Sequence, residues 1–354
     1  MTDSPTLRLA LWPLSLVYGL AVRVRASLYR GGILPRRRLW GTVLSVGNLT
    51  VGGTGKTPMV LWLAERLISD GHRPAILTRG YRGAATSGGR GVPASDEVAL
   101  LRWRLGARAQ LGVGKDRYAS GQTLERHGAQ WFILDDGFQH LALERDADIV
   151  LLDASDPFGG GKLLPAGRLR EPLSALSRAG IVVITRSEHA PAVESMVRRY
   201  TRAPMFYAQT ELEAVLHAPA LAVEWPLPDR SAARVFAFCG IGNPRAFFDD
   251  LRRWGFAVAG ERRFRDHHRY SSADVAALER AAVSAGADAM ICTEKDVFNY
   301  FQRAASTART RMRDAAPGRL PVYACRIRLA ISDAVGFWNA VLSAASRRRM
   351  VGQP

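Results

Sequence analysis

The sequence predicts an α/β protein with a mostly parallel sheet and two domains. Short apolar runs typical of buried strands are followed by turns and then by apolar residues at helical spacing, and this alternation favours parallel sheets. It stops near Ala203, where a stretch with several prolines begins, and starts again at about residue 235. A chain of 354 residues, 47% of them hydrophobic, is long enough for two buried cores.

The formal net charge of +17 implies an anionic partner, such as nucleic acid, an anionic membrane surface or a phosphorylated substrate. An arginine-rich proteome explains part of the same excess. Cys239, Cys292 and Cys325 lie far apart in the sequence and lack the spacing of metal ligands. They therefore disfavour a disulfide framework and a zinc site, and they suit a reducing cytoplasm.

Residues 1–35 are predicted to form an N-terminal membrane-interface segment. The apolar run at residues 9–22 is too short to span a bilayer comfortably, and arginines follow it from Arg23 onward. A helix that lies in the headgroup region, anchored by Trp12 and the arginines, fits this pattern, and so does a helix packed on its own domain. A signal peptide is disfavoured because the basic residues follow the apolar run instead of preceding it.

A larger domain is predicted over residues 36–210, and it begins with a phosphate-binding loop. Residues 43–58 run from an apolar strand through glycines into a helix, so that backbone amides and the helix dipole converge on an anion. Lys56 is predicted to contact the β- and γ-phosphates, and the Thr57 hydroxyl to hold Mg²⁺. The motif expects glycine at position 50, where this chain has Thr50. The predicted nucleotide-binding residues are Thr50, Gly52, Gly53, Thr54, Gly55, Lys56 and Thr57.

Two carboxylates end a strand that the sequence predicts over residues 131–136. Carboxyl ends of parallel strands meet at one edge of a sheet, so Asp135 and Asp136 should lie near the phosphate loop, where such enzymes hold Mg²⁺. Residues 158–172 are too rich in glycine, proline and arginine for a core element. The other elements expected in this domain are a helix over residues 58–70, strands over 74–78, 148–153 and 181–185, and helices that begin near residues 98 and 112.

A smaller α/β domain is predicted over residues 211–354. Residues 235–244 again give a strand, a glycine turn and a helix, but Gly240-x-Gly242 lacks a third glycine and is weak evidence for a second nucleotide. The other elements expected here are a helix from Ser271–Ser272, a strand over residues 289–296 and a late strand over residues 322–328.

Several stretches, in order and over nearly the whole chain, together resemble the tetraacyldisaccharide 4′-kinases of lipid A synthesis. They are residues 46–58, 79–81, 96–97, 135–140, 164–172, 266–268 and 293–296. The resemblance implies that ATP, with Mg²⁺, phosphorylates the 4′-hydroxyl of a tetraacylated glucosamine disaccharide 1-phosphate. It also implies a peripheral, monotopic protein at the cytoplasmic face of the bacterial inner membrane. The loop of that family lacks the first glycine, so Thr50 agrees with it.

The same resemblance implies the roles of individual residues. Asp96 from the first domain and His267 from the second would form a catalytic pair in an inter-domain cleft, with Lys56 on the phosphates. From the residues alone, Asp96 and Glu97 suit a helix N-terminus, and His267 is an ordinary loop histidine. The implied metal-site residues are Thr57, Asp135 and Asp136. The implied supporting residues are Glu97, Asp266, His268, Arg170 and Glu171.

Two interpretations from other classes remain open at this point. A P-loop NTPase that acts on nucleic acid fits the charge, although the chain has no recognisable nucleic-acid module. A regulatory GTPase could use Thr293-Glu-Lys-Asp296 to recognise guanine, but Lys295 directly precedes Asp296, and the spacing of that motif is different. The lipid kinase is therefore favoured, with an acylated disaccharide lipid and an anionic membrane as partners and with neither nucleic acid nor a protein partner.

Overall fold

The computed structural model describes residues 10–80, 95–218, 221, 233–307 and 320–351. The chain divides into two compact units. The first contains Met1–Pro93, Leu101–Gln209 and Leu329–Pro354, and the second contains Ala94–Leu100 and Thr210–Arg328. Two segments thus differ in assignment from the sequence-based boundaries: residues 94–100 belong to the second unit, and residues 329–354 belong to the first.

Helices and strands alternate along the chain. In chain order they are α1 Trp12–Arg30, β1 Thr42–Asn48, α2 Lys56–Ser69, β2 Ala75–Thr78, α3 Asp96–Leu105, β3 Gln110–Val113, α4 Arg117–Arg126, β4 Trp131–Asp135, β5 Ala147–Asp153, β6 Ile181–Thr185, α5 Pro191–Arg198, β7 Met205–His217, β8 Arg234–Cys239, α6 Pro244–Arg253, β9 Ala257–Arg263, α7 Ser272–Ser284, β10 Ala289–Thr293, α8 Glu294–Thr307, β11 Val322–Ile331 and α9 Ala334–Val351.

The sheet of the first unit has the strand order β3-β2-β4-β1-β5-β6, and β6 also pairs with the start of β7. These pairs are all parallel, which confirms the predicted fold class. Every residue of β1, β5 and β6 is buried, as expected for strands covered on both faces. Val46 of β1 is paired with Asp135 of β4, so the loop after β1 and the end of β4 lie at the same edge of the sheet.

Helix α2 places its apolar stripe in the core of this unit. Met59, Val60, Leu63 and Leu67 have no exposed surface, and they pack in one cluster with residues of β1 and β5. Burial of each such side chain contributes about 1.5–3 kcal/mol. Helix α9 joins the same cluster, where Phe337 meets the ring of Trp62 edge-on. This packing holds α2, and therefore the loop before it, against the sheet.

The sheet of the second unit contains the parallel order β11-β10-β8-β9. In the core of this unit, Phe247 and Phe248 of α6 pack against β8. Helix α7 begins where the sequence predicted it, because Ser271 and Asp274 form a reciprocal capping box.

Strands β3, β7 and β9 were not expected from the sequence. In residues 205–217 polar side chains interrupt the apolar ones, and β9 contains glycine and ends in charge, so neither forms a continuous apolar run. The helix expected from residue 112 begins only at Arg117, where Asp116 accepts a hydrogen bond from the amide of Ala119. The expected strand over residues 289–296 ends at Thr293, and α8 follows directly. Residues 86–91 and prolines 219, 226 and 228 lie outside the described residues.

Helix α1 has one buried edge and a broad exposed apolar surface. The Ser15 hydroxyl bonds the carbonyl of Leu163 and the amide of Ala166, and Tyr18 donates to the carbonyl of Arg170. Six large apolar side chains of this helix are 48–67% exposed, and they are Trp12, Leu14, Leu16, Val17, Leu20 and Val24. In the described part of the chain, no helix combines the length and the apolar character needed to cross a membrane.

Candidate active site

The loop between β1 and α2 has the backbone that a phosphate cradle needs. Gly52 and Gly55 have φ values of 128° and 87°, a region that suits glycine. Gly55 is the N-cap of α2, and Lys56 and Thr57 form the first residues of the helix. The unpaired amides of a helix N-terminus and its dipole both favour an anion at this position. Gly53 is exposed at the top of the loop, whereas Thr54 is buried and its carbonyl accepts a hydrogen bond from Thr185.

Thr50 occupies the position where the common motif has its first glycine. Its backbone forms an isolated antiparallel bridge with Leu169, and the neighbouring residues Leu49 and Val51 exchange hydrogen bonds of 2.7 and 2.8 Å with Arg170 and Arg168. A strand-like pairing of this kind requires no glycine. The bend of the loop is instead made at Gly52, which explains why Thr50 is compatible with the cradle.

Lys56 lies between an amide and a carboxylate. Its Nζ is 3.1 Å from Oδ1 of Asn48 and 3.5 Å from Oδ1 of Asp136. Asn48 in turn donates to the carbonyl of Thr50 at 2.9 Å. Asn48 thus ties Lys56 to the loop backbone, a role for which the sequence motif gave no signal beyond its position at the strand end.

The two carboxylates at the end of β4 have different partners. Asp135 is buried and accepts a hydrogen bond of 3.2 Å from Thr78. Asp136 has a left-handed backbone (φ 53°) and binds Arg170 at 2.7 and 2.9 Å as well as Lys56. Burial alone would raise the pKa of Asp136, but the charges and hydrogen bonds of Lys56 and Arg170 outweigh it and lower the pKa. Asp136 is therefore a carboxylate held between two cations.

Glu171, which was predicted as a supporting residue, is a buried residue of the loop formed by residues 158–172. It is 2% exposed and accepts a hydrogen bond of 2.5 Å from Arg178. Arg178 also lies over the ring of Phe138, 4.4 Å from its centroid. Arg178 was not predicted, since its partners lie 7 and 40 positions away in the sequence.

The motif that contains Asp135 and Asp136 ends in His140, which lies among arginines. Burial, followed by the charges of Arg117, Arg145 and Arg25, lowers the pKa of His140 to about 4. His140 is therefore neutral near pH 7, and the positive charge in this part of the first unit comes from the arginines.

Asp96 and His267 form a direct pair within the second unit. Nδ1 of His267 is 2.9 Å from each carboxylate oxygen of Asp96, although the residues are 171 positions apart. Asp96 lies in the first turn of α3 and its side chain is 5% exposed, while His267 follows β9 and its side chain is 23% exposed. With the boundaries predicted from the sequence, the two residues belong to different domains. The structure joins them in one unit, so their hydrogen bond does not depend on domain closure.

The pair shifts the pKa of both partners in opposite directions. The hydrogen bond that His267 donates to Asp96 raises the pKa of His267 above 6.5, against the effect of burial. Burial would raise the pKa of Asp96, but the hydrogen bond and charge of His267, together with Lys295, lower it. Such a pair can accept a proton from a hydroxyl group while the imidazole stays oriented.

Of the two consecutive histidines, His267 is the one whose ring is bonded to Asp96. His268 has partners of its own, since its Nε2 is 3.2 Å from Oδ2 of Asp274 and its ring stacks on Phe264. Asp266 is near His267, with 3.8 Å between Oδ2 and Nε2.

The last residue of Thr293-Glu-Lys-Asp296 makes hydrogen bonds inside the second unit and is not available to bind a guanine base. Asp296 is 1% exposed, and its oxygens accept hydrogen bonds from Thr293, Tyr270 and the amide of Gly240. A carboxylate with these partners has no surface for a guanine ring. The regulatory GTPase interpretation is therefore not supported.

These features define the class of the protein. A strand, glycine loop and helix that begins with Lys-Thr, beside a strand that ends in two carboxylates, is the arrangement of P-loop nucleotide-binding proteins. A carboxylate–histidine pair has the chemistry of a proton acceptor, which a phosphotransferase with a hydroxyl acceptor can use.

Comparison with known proteins gives the family. The family model of tetraacyldisaccharide-1-P 4′-kinase matches residues 7–345 of the chain. The chain therefore belongs to this kinase family.

Individual relatives agree over most of their length. The tetraacyldisaccharide 4′-kinase of Geobacter sulfurreducens is 43% identical over 294 residues, which cover 79% of this chain and 80% of the relative. That of Desulfotalea psychrophila is 35% identical over 348 residues, which cover 91% and 92%. The crystal structure of the "apo" form of LpxK from Aquifex aeolicus in complex with ATP superimposes with a TM-score of 0.70 at 29% identity, over 96% of this chain and 99% of that one.

Proposed function

We propose that this chain transfers the γ-phosphoryl group of ATP to the 4′-hydroxyl of a tetraacylated glucosamine disaccharide 1-phosphate, a step of lipid A biosynthesis. The observation that carries the proposal is the hydrogen bond between Asp96 and His267 in a chain that also has a complete phosphate cradle. The acceptor hydroxyl loses its proton as it takes the phosphoryl group, and a positioned carboxylate–histidine pair can accept that proton.

ATP binding falls to the first unit. The amides of residues 52–57 and the N-terminus of α2 would surround the β- and γ-phosphates, and Lys56 would neutralise their charge. Asn48 and Asp136 hold the Lys56 ammonium close to the cradle before the nucleotide arrives, so little side-chain ordering remains for binding. The transition state of phosphoryl transfer is loose, so positioning and charge neutralisation are the main contributions of these residues.

The residues beside the cradle fit a Mg²⁺ ion. No group of three or more His, Cys, Asp or Glu side chains among the described residues is arranged for a metal, but Mg²⁺ needs only one or two protein carboxylates with phosphate oxygens. Thr57 and Asp135 would supply hard oxygen ligands. Asp136, already bound by Lys56 and Arg170, would act next to the metal. When bound, Mg²⁺ would neutralise part of the negative charge of the phosphates.

The proton of the acceptor hydroxyl goes to the Asp96–His267 pair. Nδ1 of His267 faces both oxygens of Asp96, so the proton would arrive at Nε2 and the Asp96 carboxylate would stabilise the imidazolium that forms. The reaction requires that one acceptor hydroxyl reach both the γ-phosphate and this pair. Asp266, near Nε2, would help to stabilise the protonated imidazole.

The exposed apolar surface of α1 is proposed to lie in the interface of an anionic membrane, at the cytoplasmic face of the inner membrane. Trp12, Leu16 and Val17 are 54%, 54% and 67% exposed, and Arg23 and Arg30 follow on the same helix. Apolar side chains in the acyl boundary and arginines at the headgroups are the pattern of a helix that lies on a bilayer. Such a position brings the enzyme to an acylated substrate.

Two measurements test the proposal. Labelled ATP and the tetraacylated disaccharide 1-phosphate should give a bis-phosphorylated lipid, and absence of this product with correctly folded protein would refute the kinase activity.

Removal of residues 1–25 should release the protein from vesicles that contain anionic lipid. A Leu16→Gln/Val17→Gln/Leu20→Gln variant makes the same test while leaving Ser15 and Tyr18 in place, and unchanged binding of both variants would refute the membrane role.

A further inference from the structure

Helix α8 contacts Asp96 directly and is linked to His267 through Gly240, by side chains to which the proposed function gives no task. It begins with Glu294, directly after β10, and its first turns hold Lys295, Asp296 and Asn299. None of the three is a ligand of nucleotide or metal in the arrangement described above. Their partners are instead the residues that carry the carboxylate and the histidine.

The first set of contacts fixes the carboxylate. Asn299 is one helical turn after Lys295, so both side chains lie on one face of α8. Nδ2 of Asn299 donates to Oδ2 of Asp96 at 3.3 Å, and Nζ of Lys295 bonds Oε1 of Glu97 at 2.9 Å. A carboxylate only accepts hydrogen bonds, so the amide of Asn299 must present its nitrogen to it. Two consecutive residues of α3 are thereby held by two residues on one face of α8.

The second set fixes the backbone of the histidine. Oδ1 of Asp296 accepts from the amide of Gly240 and from the hydroxyl of Tyr270, both at 2.8 Å. The carbonyl of the same Gly240 accepts the amide hydrogen of His267 at 2.9 Å. Asp296, Gly240 and His267 therefore form one continuous chain of hydrogen bonds.

The turn that carries His267 needs such an anchor. His267 has φ 58°, a left-handed conformation that side chains other than glycine disfavour, so the surrounding structure must hold it there. A Cβ at Gly240 would lie only 3.0 Å from the carbonyl oxygen of Arg265 and 3.0 Å from Cβ of His268. The backbone at Gly240 therefore packs tightly against the turn that contains His267. Tyr270, with 1% exposure, packs edge-on against Phe264 next to the turn.

We propose that the start of α8 is the positioning device of the proton acceptor: Asn299 orients the carboxylate of Asp96, and Asp296 holds the turn that presents His267. This inference rests on the proposed role of the Asp96–His267 pair and extends it to residues that touch neither nucleotide nor acceptor. One rigid helix then sets the distance between two groups that are far apart in sequence.

The first experiment compares Asn299→Ala with the matched control Asn339→Ala, since Asn339 is exposed on α9. Loss of the amide donor should lower kcat about ten- to a hundredfold, because misplacing a reacting group by about 1 Å costs up to about 10²-fold. The KM for ATP should stay unchanged, since the cradle is intact. The control should keep the parent kcat, and a parent-like kcat in Asn299→Ala would overturn the carboxylate part of the proposal.

A pH profile separates orientation from mere stability. His267 is faced by Asp96 and Glu97 of α3 and by Asp266 of its own turn, while Lys295 and Asn299 of α8 face the two α3 carboxylates. Without the Asn299 donor, Asp96 is more basic and holds the imidazolium more tightly, so the acid limb of kcat/KM should move to higher pH. A lower melting temperature with an unmoved limb and a parent kcat would assign Asn299 a structural role only.

The histidine part is tested at Asp296. Asp296→Ala leaves the Gly240 amide and the Tyr270 hydroxyl without their acceptor and should lower kcat at least tenfold with an unchanged KM for ATP. Asp296→Asn should recover most of the loss, because the amide oxygen still accepts from both donors while its nitrogen can donate to Thr293. If Asp296→Ala does not fold, Tyr270→Phe decides, with a smaller loss of kcat expected. A parent kcat in the folded variant, or no recovery by Asp296→Asn, would overturn this part.

A double variant distinguishes this inference from the proposed function. In an Asp96→Asn background, Asn299→Ala should cause no further loss of kcat, because its effect passes through Asp96. An additive loss would overturn the inference. If Asp96→Asn itself keeps the parent kcat, the proposed proton acceptor is refuted, whatever Asn299 does.

Discussion

The phosphate cradle and the carboxylate–histidine pair are built in opposite ways. The cradle is made of consecutive residues, and its essential groups are backbone amides whose geometry is set by Gly52 and Gly55. The pair joins two side chains that are 171 positions apart and depends on supports from a third element, α8. A backbone site is therefore encoded by local residue types, whereas a side-chain site is encoded by the packing of a whole unit.

The largest effect is expected at the pair. Asp96→Ala and His267→Ala should each lower kcat by about 10²–10⁴-fold, the usual contribution of a general acid–base group. The Kd for ATP should change little, because the cradle lies in other residues. Single-turnover kinetics and nucleotide titration measure both quantities. Near-parent turnover in either variant would contradict a catalytic role, and the pair would then be a structural contact like that of His268 with Asp274.

Lys56→Ala should have the next largest effect. Loss of one preorganised positive group at the phosphates should lower kcat about 10²–10³-fold, by analogy with the loss of one transition-state donor. Unlike the variants of the pair, it should also weaken ATP binding, because Lys56 contacts the phosphates in the ground state as well. Steady-state kinetics with varied ATP gives both values, and an unchanged KM for ATP would place Lys56 outside the cradle.

The contrast also explains how far the sequence could predict the site. The sequence predicted β1, the glycine loop, α2 and the carboxylates at the end of β4, because each of these patterns is visible in a short stretch of the chain. Asp96 and His267 were assigned only through the family resemblance. Asn299 was missed, since an asparagine in a helix carries no local sign of a partner 203 positions away. Strand β7 was missed because polar residues 209–211 interrupt its apolar residues, which resembles a connector when the pairing strands are unknown.

A moderate effect is expected in the pH dependence. The charged form of His267 is stabilised by Asp96, so its pKa lies above 6.5, and kcat/KM should fall as the pH drops through that raised value. The sign follows because a protonated pair cannot accept the hydroxyl proton. In Asp96→Asn the residual activity should show an acid limb at lower pH, since the carboxylate that raised the pKa is gone. An acid limb at the same pH in both proteins would contradict the pairing.

The smallest effect is expected when the missing glycine of the motif is restored. Thr50 lies in a strand-like bridge with Leu169 and is 3% exposed, so Thr50→Gly adds backbone freedom and removes buried atoms without relieving any strain. It should destabilise the protein by about 1 kcal/mol and change the KM for ATP less than about threefold. Thermal unfolding and ATP kinetics check both expectations.

Gly55→Ala is the matched comparison, because it changes the same loop by a single methyl group. Gly55 has φ 87°, and a Cβ there would meet its nearest atoms at 3.7 Å, so space is available and only the backbone conformation is unfavourable. Forcing alanine into this region costs about 1–2 kcal/mol, and relaxation of the loop should raise the KM for ATP. If Thr50→Gly improved ATP binding, or Gly55→Ala left it unchanged, the bend of the cradle would lie at position 50 and not at Gly52 and Gly55.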